Sequence, residues 1–207
     1  RFVNVNDGDC TGDGSSGCMG RYPSALGTDD YPYAFWNEYT TPAGPGYGGR
    51  GYYTYDEFGW GGESFVDPED ADLTWNSNKD HWVGSPTVTH DGSDYVFNVV
   101  YQDWTRNNYW LFHSEAYDDG FIVFGQESTV FDEENCLIDG YNSAAHLSMN
   151  DDGQGVIGTI GWFAGADNEN NTSTNEHTPI FRLTDDHGAN WSDTGEAGSC
   201  GYYYVPN

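Results

Sequence analysis

The chain has 207 residues, 34 of them acidic and 6 basic, for a formal net charge of −28. Such a balance repels phosphates and anionic headgroups, which excludes nucleic acid and acidic membrane surfaces as partners. Apolar residues are 36% and aromatics 17% of the chain, so a core has to come mainly from Trp, Tyr and Phe, at roughly 150–250 Å² buried per ring.

Residues 1–20 are rich in Asp, Asn and Gly and carry two of the four cysteines, Cys10 and Cys18. Asp7, Asp9, Thr11 and Asp13 place hard oxygen ligands at alternate positions with glycines between them, which is what Ca²⁺ requires. The twelfth position, where an EF-hand loop needs an acid, is Cys18. The segment therefore reads as a candidate Ca²⁺ loop of another kind, or as an Asp/Gly turn held by a disulfide. Four cysteines fit an oxidising compartment, with Cys10–Cys18 and Cys136–Cys200 favoured among three possible pairings. Arg1 as first residue fits a processed or truncated chain.

From residue 21 the chain repeats itself. Residues 22–26, 33–39, 51–55 and 64–66 read as short strands separated by turn residues. Residues 85–89, 95–101, 108–114 and 121–124 form a second set, and 143–147, 156–162, 179–184 and a short piece near Trp191 a third. Asp30, Asp91 and Asp152 are spaced 61 and 61 apart. Ser24, Ser85 and Ser143 are spaced 61 and 58, and Tyr39, Tyr101 and Trp162 are spaced 62 and 61. Four strands in about 60 residues, with small residues in the first strand and Asp-Gly turns, predict a β-propeller blade. No segment keeps a 3.6-residue apolar period, so the predicted fold is all-β: three four-stranded blades over 21–82, 83–140 and 141–207. Three blades do not close a ring, which typically takes about four to eight. The open ends predict association with copies of the chain or with the remainder of a longer one. No apolar run approaches the ~20 residues of a membrane span, so no membrane insertion is expected.

Thr184-Asp185-Asp186-His187-Gly188-Ala189-Asn190-Trp191 follows the pattern Ser/Thr-x-Asp-x-Gly-x-x-Trp. It resembles the Asp box of sialidase-type β-propellers, in which Thr184, Asp186, Gly188 and Trp191 would hold the turn. Residues 54–59 and 114–120 carry degenerate versions. The resemblance covers residues ~21–193 and implies a secreted propeller fold. It does not by itself imply hydrolysis, because the Asp box is a folding device. Sialidases hold their substrate's carboxylate with three arginines. The five arginines here (Arg1, Arg21, Arg50, Arg106 and Arg182) match none of the family's early Arg-Ile-Pro context.

Other candidate sites are scattered. Tyr47, Trp60, Trp104 and Tyr109 are candidates for stacking on sugar rings, with packing between sheets as the alternative role. For Tyr52 packing is the better reading. Asn170, Asn171 and Asn190 head glycosylation sequons. Asp67, Glu69, Asp70 and Asp72 read as a solvated linker, and the six histidines lack zinc-like spacing. The acidity has three readings: screening in high salt, neutralisation by Ca²⁺, and solubility. Three functions follow. One is an extracellular or cell-surface structural or adhesive component that self-assembles. The second is a carbohydrate-binding module, and the third a sialidase-like glycoside hydrolase fragment. No catalytic constellation can be placed.

Overall fold

The computed structural model describes residues 20–38, 50–62, 64–68, 71–75, 84–103, 108–131, 145–162, 177–193 and 202–204. The described residues form twelve β-strands and no helix. Three antiparallel sheets follow one another along the chain. In the first, β1 (Gly20–Gly27), β2 (Pro32–Glu38) and β3 (Arg50–Tyr55) pair in sequence order. In the second, β4 (Gly84–His90), β5 (Tyr95–Asp103), β6 (Asn108–Asp118) and β7 (Phe121–Phe124) do the same, and β8 (Ser128–Phe131) also pairs with β6. The third comprises β9 (His146–Met149), β10 (Gly155–Trp162), β11 (His177–Thr184) and β12 (Tyr203–Tyr204).

One plan underlies all three. The first two strands of each sheet are joined by a tight turn, and Asp30, Asp91 and Asp152 fall in those three turns. The oxygen that caps each turn sits on a different residue type. Thr28 Oγ1 accepts from the Tyr31 amide at 2.9 Å. Asp91 Oδ1 accepts from the amides of Ser93 and Asp94, both at 2.8 Å. Asn150 Oδ1 accepts from Gln154 N at 2.9 Å. Such local side-chain bonds are what favour Thr, Asp and Asn in turns. At Asp91 the Ser93 hydroxyl, with the Asp94 and Ser93 amides, holds the carboxyl down at about 2.

After the third strand, the chain turns back and returns in two pieces rather than one. β7 pairs with the end of β6 and β8 with its beginning. In the first sheet Asp56 bridges Phe65 and Tyr52 bridges Thr74. In the third, the Ser192 amide bonds Leu183 O, and β12 pairs with Ile180 and Phe181. The expected fourth strands at 64–66, 121–124 and near Trp191 are the first of these two pieces. The second pieces, around Leu73, Val130 and Tyr202, supply buried apolar side chains.

The sheets stack in chain order, with the second in the middle. Alternation along β5 explains how one strand serves two seams. Phe97, Val99 and Tyr101 point to the first sheet, where they join Tyr33, Phe35 and Tyr53. Val100, between them, points to the third sheet and joins Leu147, Ile157 and Ile180. The first strand of the second sheet, β4, lies between β1 and β9. Leu147 N donates to Ser85 Oγ across that line at 3.3 Å.

The first seam is built from aromatic rings. Tyr33 meets Phe97 edge-on at 5.2 Å, and Phe97 stacks on Tyr117 at 5.6 Å. Three tyrosines of the first sheet also bond the β6–β7 hairpin of the second. Tyr31 OH donates to Asp119, Tyr33 OH donates to Gly120 O at 2.9 Å, and Tyr53 OH donates to Ile122 O at 3.0 Å. Buried tyrosine thus carries both the apolar area and the polar pairing of this seam.

Candidate functional site

Residues 184–191 fold into a turn held by their own side chains. Thr184 Oγ1 donates to Asp186 Oδ1 at 2.8 Å and accepts from Gly188 N at 3.1 Å. Asp186 Oδ1 accepts from Asn190 N at 2.9 Å. Trp191 Nε1 donates to Gly188 O at 3.1 Å, and the indole packs on the core between the second and third sheets. Burial pushes the Asp186 carboxyl up, but bonds from Asn190 and Thr184 outweigh it and leave it lowered. Gly188 has φ +89°, and a Cβ there would lie 2.5 Å from Asn98 Oδ1 on the neighbouring sheet. All four side groups are therefore committed to structure.

The degenerate versions occupy the corresponding turns with different chemistry. Asp56 Oδ1 accepts from Phe58 N, but Thr54 Oγ1 donates to Val66 O instead. Ser114 Oγ accepts from Phe97 N inside the second sheet. Arg182 is structural as well: it donates to Ser192 O, Trp191 O and Val130 O at 2.8–3.1 Å. Arg50 pairs with Asp72 at 2.8 Å and lies over Tyr52.

The sugar-stacking candidates separate. Tyr109 is 0% exposed, its hydroxyl accepts from Thr159 Oγ1 at 3.1 Å, and its ring meets Phe131 edge-on. It is a seam residue of β6 with no face left for a ligand, a correction to the sequence expectation. Tyr52 is buried against Trp36, as packing required. Trp60 is 62% exposed. Its Nε1 donates to Thr28 O at 3.0 Å, and its ring lies where a Cβ on Gly27 would come within 2.5 Å. The indole is thus fixed on the surface. Tyr47 and Trp104 lie outside the described residues. So do Asp7, Asp9, Thr11 and Asp13, the cysteines Cys10, Cys18, Cys136 and Cys200, and Asn170 and Asn171. Asn190 is exposed, and its Nδ2 donates to Asp186 Oδ2 at 2.6 Å.

Near Trp60 the turns of the first two sheets enclose a cleft of about 820 Å³. Asp30, Glu57, Asp94, Asp118 and Asp119 supply carboxylates to its wall, and Tyr31, Tyr117 and Phe58 supply rings. Phe58 is 74% exposed, on the same turn as Trp60. Tyr31 donates to Asp119, and that bond, with burial, raises the phenol to about 12. The described lining contains no Lys, Arg or His. The cleft can therefore accept hydrogen bonds from hydroxyl or amine donors, and it repels anions. Among the described residues no group of three or more His, Cys, Asp or Glu is gathered to hold a metal ion. Sequence reasoning missed Phe58 and the cleft; the one local signal was Phe58-Gly59-Trp60, two large rings in a glycine turn.

No protein-family model matches the chain, nor does any curated protein or solved structure.

Proposed function

We propose that the chain is an extracellular carbohydrate-binding module built from three blades of a β-propeller-type array. The exposed ring pair Phe58 and Trp60 beside a carboxylate-lined cleft carries this reading. Sugar rings stack through their C–H faces on aromatic rings, and their hydroxyls donate to carboxylates. The blade reading rests on the shared strand plan and on first strands that adjoin one another. In this reading the cleft selects neutral or amine-bearing glycans, because five carboxylates would oppose a uronate or sialate. A sialidase-like activity is correspondingly disfavoured.

A glycan array probed with the full chain tests this. Retention of neutral or amine-bearing glycans is expected, with Phe58→Ala and Trp60→Ala weakening it at least about tenfold, the loss of ~1.4 kcal/mol. Phe58 is so exposed that its truncation should leave stability within about 0.5 kcal/mol. Retention of acidic glycans alone, or unchanged binding by both variants, would refute the reading.

A second reading, a self-assembling adhesive component, is favoured by the outer side of the third sheet, where Val156, Leu183 and Tyr203 are exposed. These positions alternate with Ile157 and Ile180, which face the second sheet. Light scattering that shows oligomers in the wild type and monomers in Leu183→Asp would support it.

A further inference from the structure

The seam between the second and third sheets differs from the first in having a polar relay at its turn end. Asn98 on β5 is fully buried, and its Nδ2 donates to His187 O at 2.8 Å. Its Oδ1 is then the acceptor for His113 Nδ1–H on β6, at 3.0 Å. That bond fixes the His113 tautomer, with the proton on Nδ1. His187 lies in the Asp-box turn at φ +59°. Its Nδ1 is 2.8 Å from Thr89 Oγ1 on β4, and its amide donates to Gly153 O at 3.0 Å. One residue of the third sheet is thereby tied to both β4 and β5 of the second.

We propose that His113, Asn98 and His187 form an acid-sensitive latch, which holds the third sheet on the second at neutral pH and loosens it when the His113 imidazole takes up a second proton. A second proton on His113 places a cation in a half-buried seam whose one described acceptor, Asn98 Oδ1, is already used. The charged groups acting on this relay are Glu115 on β6, Asp186 beside His187, and Asp91 after β4. The acids oppose protonation's cost in part. Burial dominates at His113 and holds its imidazole below its ordinary value, with His187 adding to the effect.

The sign follows from that depression. The unfolded chain takes up the proton first, so the latch is complete above about pH 6.5 and is lost as pH falls from there towards the lowered folded value.

Hydrogen exchange on the full chain, corrected for the intrinsic pH dependence, reads this out. Between pH 7.5 and 5.5, protection in β9–β11 should fall about threefold or more relative to β1–β3, as linkage requires of a group that the unfolded chain protonates first. His113→Asn keeps a donor at the Nδ1 position but cannot be protonated, so it should abolish most of the pH response. His113→Gln, which likewise cannot be protonated, is the second variant if His113→Asn does not fold. His146→Asn, on the exposed face of β9, should respond to pH as the wild type does. Equal protection at both pH values in the wild type, or an unchanged response in whichever relay variant folds, would overturn the latch.

Discussion

Replacing Tyr53 by Ala is expected to cost about 4 kcal/mol or more. The ring is 0% exposed, stacks on Phe35 at 5.6 Å and meets Phe124 edge-on at 6.1 Å. Truncating a buried aromatic costs roughly 3–5 kcal/mol through lost transfer energy and the cavity left behind. Its hydroxyl adds a polar loss, because it donates to Ile122 O and accepts from Ile122 N at 2.9 Å. Both backbone groups would then be stranded in the seam. Tyr53→Phe separates the two parts: it keeps the ring and removes the pairing, for about 1–3 kcal/mol. Total stabilities are typically about 5–15 kcal/mol, so the Ala variant should lose a large fraction of the total. Urea titration measures both. A Tyr53→Phe variant as stable as the wild type would show that the seam does not depend on this bond.

Gly188→Ala is expected to cost about 2–4 kcal/mol. At φ +89° an alanine carries steric strain of order 1 kcal/mol. Its Cβ would also collide with Asn98 Oδ1 and displace the side chain that ties the two sheets. A stranded, fully buried amide costs a further ~1–3 kcal/mol. Gly92 provides the control. Its φ is +94°, but a Cβ there meets nothing within 4 Å. Gly92→Ala should therefore cost about 1 kcal/mol, the strain alone. Comparing the two by thermal or urea unfolding isolates the contact with Asn98. Equal losses in both variants would mean that the Asp-box turn does not bear on the neighbouring sheet.

These two positions show what the sequence carried and what it did not. Strands such as 33–39 and 95–101 were legible because aromatic and β-branched runs lie between Asp- and Gly-rich turns. The equal spacing of Asp30, Asp91 and Asp152 was legible too, since it reflects turns at matching places in three sheets. The two-piece return of the chain was hidden. Its second piece around Val130 and Phe131 is only four residues long, and the one around Tyr202 shorter still. The faces of the strands were ambiguous for a related reason. In β5 nearly every residue is buried because both sides are covered, so no apolar–polar alternation marks either seam. Tyr109 fell to that ambiguity: an aromatic in a middle strand reads alike whether it meets a ligand or another sheet. Trp60 was recoverable because it sits in a glycine-rich turn. The cleft was not, because its wall gathers residues from 30–31, 57–59, 94 and 117–119, which only the stacking of the first two sheets brings together. The same holds for His113, Asn98 and His187.

Stacking of three like sheets in chain order, with the second in contact with both others, underlies every site described. Nuclear Overhauser contacts made by aromatic side chains in the full chain test it most directly. Cross-peaks are predicted from Tyr33 to Phe97 and from Tyr53 to Phe124 in one seam, and from Tyr109 to Thr159 in the other. Spectra of the folded chain in which Tyr33 and Tyr53 contact no residue of 95–124, or Tyr109 none of 145–184, would contradict it.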